Sequence, residues 1–186
     1  PSGAVLNANT THTYTIGNIA GTLAVMPAAG IHISGFGGGS FSPAGETYTL
    51  SNIGDTALNW TASVNTAWAD LSVASGTLNP SASANVVLSL NAEADSLLPQ
   101  SHTATVTFTN TSNNNGNTSR SVSLNVLLAA PVLAAEPPFT SGATNTISWS
   151  TLAGAEVYEV QRSSNAGFAN PTSSGWITIA SHSFTG

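Results

Sequence analysis

The sequence predicts an all-β fold, two antiparallel β-sandwiches in tandem with the second incomplete, and three observations carry that expectation. Segments alternating apolar residues with Ser or Thr recur every ten to fifteen positions. Gly, Asn and Pro clusters separate them, as turns separate strands. No segment shows a competing helical period.

The clearest strand is His102-Thr103-Ala104-Thr105-Val106-Thr107-Phe108-Thr109, with Ala104, Val106 and Phe108 on one face and four threonines on the other. Successive side chains of a strand point to opposite faces, and β-branched residues suit the pleat. Leu58, Trp60 and Ala62 repeat the pattern, as do Val86, Leu88 and Leu90, and then Val122, Leu124, Val126 and Leu128. In phase, these runs place Trp60, Val86, Leu88, Val106, Phe108, Leu124 and Val126 in the core of a sandwich spanning residues 21–129. Between Phe108 and Val122 an Asn/Thr/Ser-rich stretch reads as a hairpin tip, with Asn115-Gly116 taking the positive φ values of its turn. The run Gly35-Phe36-Gly37-Gly38-Gly39 reads as a flexible connection, since it fits no phosphate-binding glycine motif.

A boundary is expected near Ala129-Ala130-Pro131, where one strand pattern ends. Residues 130–186 then supply Thr146–Ser150, Val157–Arg162 and Trp176–Ile179 as strands of the second sandwich. Residues 1–20 hold one short alternating piece, Thr11-His12-Thr13-Tyr14-Thr15-Ile16, expected to be a linker or a strand belonging to a preceding or neighbouring module.

Composition excludes several functions. Only 5% of the 186 residues are charged, there is no lysine, and Arg120 and Arg162 are the sole cations in a chain of net charge −6. Binding of nucleic acid or anionic lipid, which relies on clustered cations, is therefore not expected. No cysteine is present, which rules out disulfides and thiolate sites. A hydrophobic content of 41% argues against disorder, and no apolar run approaches the roughly 20 residues of a membrane-spanning helix. The opening Pro1-Ser2-Gly3 lacks an initiator Met and the features of a signal peptide, which suggests an internal or processed fragment.

No catalytic, cofactor or metal site is expected. His12, His32, His102 and His182 fall on separate strands without ligand-like neighbours, and His102 reads as a residue of the sandwich rim. The eight carboxylates are scattered, so no acid/base pair is assignable. Glu93-Ala94-Asp95 has oxygen ligands that suit calcium but lacks an EF-hand-like run. No G-x-S-x-G elbow occurs. Among the aromatics, Trp60, Trp68 and Trp149 read as core. Trp176, beside Gly175, is the candidate exposed ring and the one candidate carbohydrate contact, since sugars stack on exposed Trp faces. Asn9, Asn59, Asn110 and Asn117 begin N-x-Ser/Thr sequons of the kind an Asn/Thr-rich chain contains by chance.

The pieces Ser42-Pro43, Tyr48-Thr49-Leu50-Ser51-Asn52-Ile53-Gly54, Leu58-Asn59-Trp60, Trp68, Ser75-Gly76-Thr77-Leu78-Asn79-Pro80 and Ala104–Phe108 resemble BACON-like modules of bacterial multidomain surface proteins. That resemblance implies an immunoglobulin-like sandwich and a suspected carbohydrate association. Phe139-Thr140, Gly142, Thr146–Trp149, Ala153-Gly154-Ala155 and Tyr158–Ser163 resemble the first half of a fibronectin type III module, whose final strands are absent. Together they imply a non-catalytic structural or adhesive module of a large secreted or cell-surface bacterial protein, one that meets other modules or copies of itself in a filament or surface layer. The competing expectation is a carbohydrate-binding accessory module of a secreted hydrolase. The incomplete sandwich is expected to find its missing strands in other sequence or on another chain.

Overall fold

The computed structural model describes residues 17–135 and 144–185. The first ten strands are β1 (Leu23–Met26), β2 (Ile31–Phe36), β3 (Gly39–Ser42), β4 (Gly45–Asn52), β5 (Leu58–Val64), β6 (Ala69–Leu71), β7 (Ser75–Leu78), β8 (Ser83–Leu90), β9 (Ser101–Asn110) and β10 (Thr118–Leu127). A four-residue turn of helix, α1 (Ala92–Asp95), is capped by the Asn91 side chain, which accepts from the Glu93 N–H. Two sheets result, ordered β1-β4-β8-β6 and β3-β2-β10-β9-β5-β7. The pairing of β10 with β2 is parallel and the others are antiparallel.

The inner faces of both sheets merge into one apolar core. All seven residues assigned to it from alternation are no more than 2% exposed. Tyr48 of the four-stranded sheet meets Phe108 of the six-stranded sheet edge to face, with ring centroids 5.1 Å apart. Trp60 lies over Gly76 on the paired strand β7. A Cβ at Gly76 would come within 2.9 Å of the indole ring, so only glycine fits there.

Polar side chains join the two sheets where backbone pairing cannot. Arg120 points inward from β10, in phase with Val122 and Leu124. Its Nε donates to the Pro27 carbonyl at 2.7 Å and its Nη2 to the Val25 carbonyl at 2.6 Å, while Nη1 donates to Thr118 Oγ1 and the Ser119 carbonyl. Strand β1 of one sheet is thus tied to β10 of the other. Asn52 is also buried, with its amide donating to the Thr56 and Leu78 carbonyls and its oxygen accepting from the Thr22 and Gly54 N–H groups. All four of its hydrogen-bonding positions are filled.

Several expectations require correction. The glycine run is no flexible connection: Gly35 and Phe36 end β2, Gly39 opens β3, and Gly38 and Gly39 turn the hairpin with φ of +92° and +115°. In the β9–β10 tip the residues with positive φ are Asn114 and Gly116, not the Asn115-Gly116 pair. The strand expected at Trp176–Ile179 ends at Ile177, because the chain bends there and starts a further strand.

The remaining strands are β11 (Thr144–Ser148), β12 (Tyr158–Arg162), β13 (Thr172–Ile177) and β14 (Ser181–Thr185). They form two separate ribbons, β11-β14 and β12-β13. The first ribbon is extended by residues 132–134: Leu133 bridges Trp149, the Ala134 N–H donates to the Ser148 carbonyl at 2.8 Å and the Ser150 N–H to the Val132 carbonyl at 2.9 Å. Trp149 and Phe184 are buried, and Trp149 packs edge to face on Tyr158 with centroids 5.5 Å apart.

Two substitutions test this architecture. Arg120→Met, which strands the Val25 and Pro27 carbonyls, is expected to lower unfolding stability by about 1–3 kcal/mol in urea titrations. Gly76→Ala is expected to lower it by about 1–3 kcal/mol through overpacking against Trp60. An unchanged midpoint in either case would contradict the role given to that residue.

Candidate functional site

The β12-β13 ribbon is where the described structure is least complete. Tyr158, Val160 and Ile177 sit on its inner side and are only half-buried. Strand β13 covers one edge of β12, and no described strand pairs with the other. A groove of about 570 Å³ runs over β12, lined by Leu133, Trp149, Val157, Tyr158 and Val160 and also by the more polar Glu159 and Gln161 and by Trp176 of β13. Its far wall, Leu133, is 64% exposed. The groove therefore combines unpaired backbone with uncovered apolar side chains, the two features that favour addition of a strand.

Trp176 stands on β13 opposite Glu159, with 72% of its surface exposed, so the expectation of a solvent-facing ring beside Gly175 holds. Gly175 has φ of +65°. Trp60, Trp68 and Trp149 are buried, as expected for core residues. Glu159 accepts hydrogen bonds from Ser173 Oγ and Gln161 Nε2. Those bonds, that from Ser173 first, favour the carboxylate and hold it below its ordinary range. The outcome is an exposed indole facing a permanently ionised, hydrogen-bonded carboxylate at neutral pH.

The other candidates are dispersed. His32 lies on β2 and its Nδ1 is 2.7 Å from Ser123 Oγ; His102, near the start of β9, has Nε2 2.9 Å from the Leu98 carbonyl; His182 on β14 packs edge to face on Phe184. His12 lies outside the described residues. Among the described residues no group of three or more His, Asp or Glu side chains is placed to hold a metal. Glu93 and Asp95 belong to α1, whose N-terminus is capped by the Asn91 side chain. Of the sequons, Asn110 is fully buried and bonded to Gly21, Asn113 and Asn115, whereas Asn59 and Asn117 are exposed. Among the described residues, no helix is long and apolar enough to cross a membrane.

The groove is the feature that residue patterns alone do not disclose. Leu133 and Trp149 are sixteen positions apart and meet only through the bridge that extends the β11 ribbon. Val157 and Val160 supply a sequence signal, but their exposure depends on how the strands around them pair.

No family model matches the chain, and no curated protein matches it. Solved structures resemble parts of the chain at low identity. The PapD-like domain 7 of human CEP192 superposes with a TM-score of 0.44 at 14% identity, over 65% of this chain and 97% of that one. The E. coli chaperone DraB gives 0.41 at 13% identity, over 69% of each chain. The CsuC-CsuE chaperone-tip adhesion subunit pre-assembly complex from Acinetobacter baumannii gives 0.42 at 11%, over 88% of this chain and 87% of that one.

Because Trp176 faces Glu159, its fluorescence is expected to titrate with that carboxylate. A folded-state pKa below the unfolded one means the stabilising contribution is present above the unfolded value and is lost as pH falls through the folded value. The fluorescence midpoint is therefore expected below that of an unperturbed glutamate. A midpoint at or above that value would contradict the hydrogen-bonded geometry.

Proposed function

We propose that this chain is a non-catalytic structural module of a large extracellular bacterial protein. Residues 21–129 act as a BACON-like spacer sandwich, and residues 130–186 act as a fibronectin type III-like half-sandwich through which the protein joins other modules or copies. The observation that carries this reading is the open edge of β12 beside the apolar groove. A two-stranded ribbon is marginal alone and gains stability from a third strand over its apolar face. The near-absence of surface charge supports it, since like-charge repulsion does not oppose close packing of copies. In such a role the molecule needs no perturbed acid, base or metal cluster.

Electron microscopy and sedimentation of the purified chain test this reading. Concentration-dependent oligomers or fibres are expected; a monomer that persists at all accessible concentrations would contradict assembly through copies of itself.

A second reading has its own observation. The exposed Trp176 ring opposite ionised Glu159 offers a pyranose a face to stack on and an acceptor for its hydroxyls. Under this reading the chain is a carbohydrate-binding accessory module of a secreted hydrolase. Titration with soluble polysaccharides is then expected to shift Trp fluorescence in the native chain and not in Trp176→Ala. Equal responses of the two proteins would remove Trp176 from any sugar site.

A further inference from the structure

We propose that the strand completing the β12 edge is the segment Thr10–Ile16 of a second copy, so that copies join head to tail. The proposal rests on the assembly reading above and names its partner.

The argument begins from length. Ile19 and Gly21 are fastened at one pole of the large sandwich. The Ile19 N–H donates to Asp55 Oδ2, and the Asp55 N–H donates back to the Ile19 carbonyl. The Gly21 carbonyl accepts from both Asn110 and Asn113 at the β9–β10 tip. Strand β10 runs from that tip, at Thr118, to Leu127 at the opposite pole. Its ten residues separate the poles by about 33 Å. At the far pole Leu152 and Ala153 sit with Gly37, Pro99 and Leu127, which places the second set of strands there. The three Cα-to-Cα steps from Ile19 to Ile16 reach at most about 11 Å. Thr10–Ile16 therefore cannot lie along β12 of its own chain, whereas it is joined to the pole that would meet the groove of a following copy.

The segment also fits by chemistry. His12, Tyr14 and Ile16 alternate with Thr11, Thr13 and Thr15. In a strand one set faces inward and the other outward. Laid along β12, Tyr14 and Ile16 would cover Leu133, Tyr158 and Val160 in the groove, and the threonines would continue the side of β12 that carries Glu159 and Gln161. The stretch contains no charge to be desolvated and no proline to interrupt a ladder. Each copy then presents a donor at one pole and an acceptor at the other, a heterologous contact that extends into a filament rather than closing as a two-fold dimer.

The test uses the full chain in two variants. Thr13→Pro removes a backbone donor from the segment, and Val160→Asp places a charge in the groove. Sedimentation velocity is expected to show a concentration-dependent series for the native chain and a monomer for each variant alone. An equimolar mixture of the variants is expected to give a dimer and nothing larger, because one intact donor meets one intact acceptor. Circular dichroism and thermal unfolding of each variant establish that it remains folded. Oligomers that persist in folded Thr13→Pro would overturn the donor assignment while leaving assembly through the groove intact. A native chain that stays monomeric would overturn both. A mixture that stays monomeric although the native chain assembles would also overturn the donor–acceptor pairing.

Discussion

Each strand has two edges whose backbone groups require partners and one face whose apolar side chains require cover, and much of this molecule follows from how those demands are met. In the large sandwich they are met internally. Its outermost strands, β1, β3, β6 and β7, are only three or four residues long, which limits the unpaired backbone they offer. Strand β12 differs. It is five residues long, is paired on one edge only among the described residues, and stands over a groove lined in part by Trp149, Leu133 and Val157. We propose that a strand of a second copy completes it.

Within the large sandwich, closure depends on polar side chains as much as on apolar ones. The Arg120 guanidinium is buried and donates to four acceptors, none of them a carboxylate. Its charge is met instead by carbonyl dipoles of both sheets. A chain with two cations thus keeps one in its interior, where it links β1 to β10. Asn52 and Asn110 serve a similar purpose at the loops, satisfying backbone groups that no ladder reaches.

The core was legible in the sequence because its signal is local. Val106 and Phe108, or Val86 and Leu88, declare their face within a few residues through strict alternation. The exposure of Trp176 was legible for a related reason, since its immediate neighbour Gly175 has no side chain to pack over it. Arg120 was legible in principle, being in phase with Val122, Leu124 and Val126, although a charge at such a position reads at first as surface. The β2–β3 hairpin was not legible, because glycines carry no alternation and β2 finds its partner in β10, about ninety residues away. Nor was the reason for Gly76, which appears only when β7 brings it beneath Trp60. The groove needed the bridge between Leu133 and Trp149, a tertiary fact without a local signature.

The central claim is that the outer edge of β12 is unsatisfied in a single copy and is satisfied on assembly. Residue-resolved amide hydrogen exchange measures this directly, across a dilution series, in the segment Tyr158–Arg162. The account predicts that alternate amides of this segment exchange far faster than those of the central strand β9 in dilute protein and become protected as concentration rises. Protection equal to that of β9 at the lowest concentration, or rapid exchange that no concentration suppresses, would contradict it.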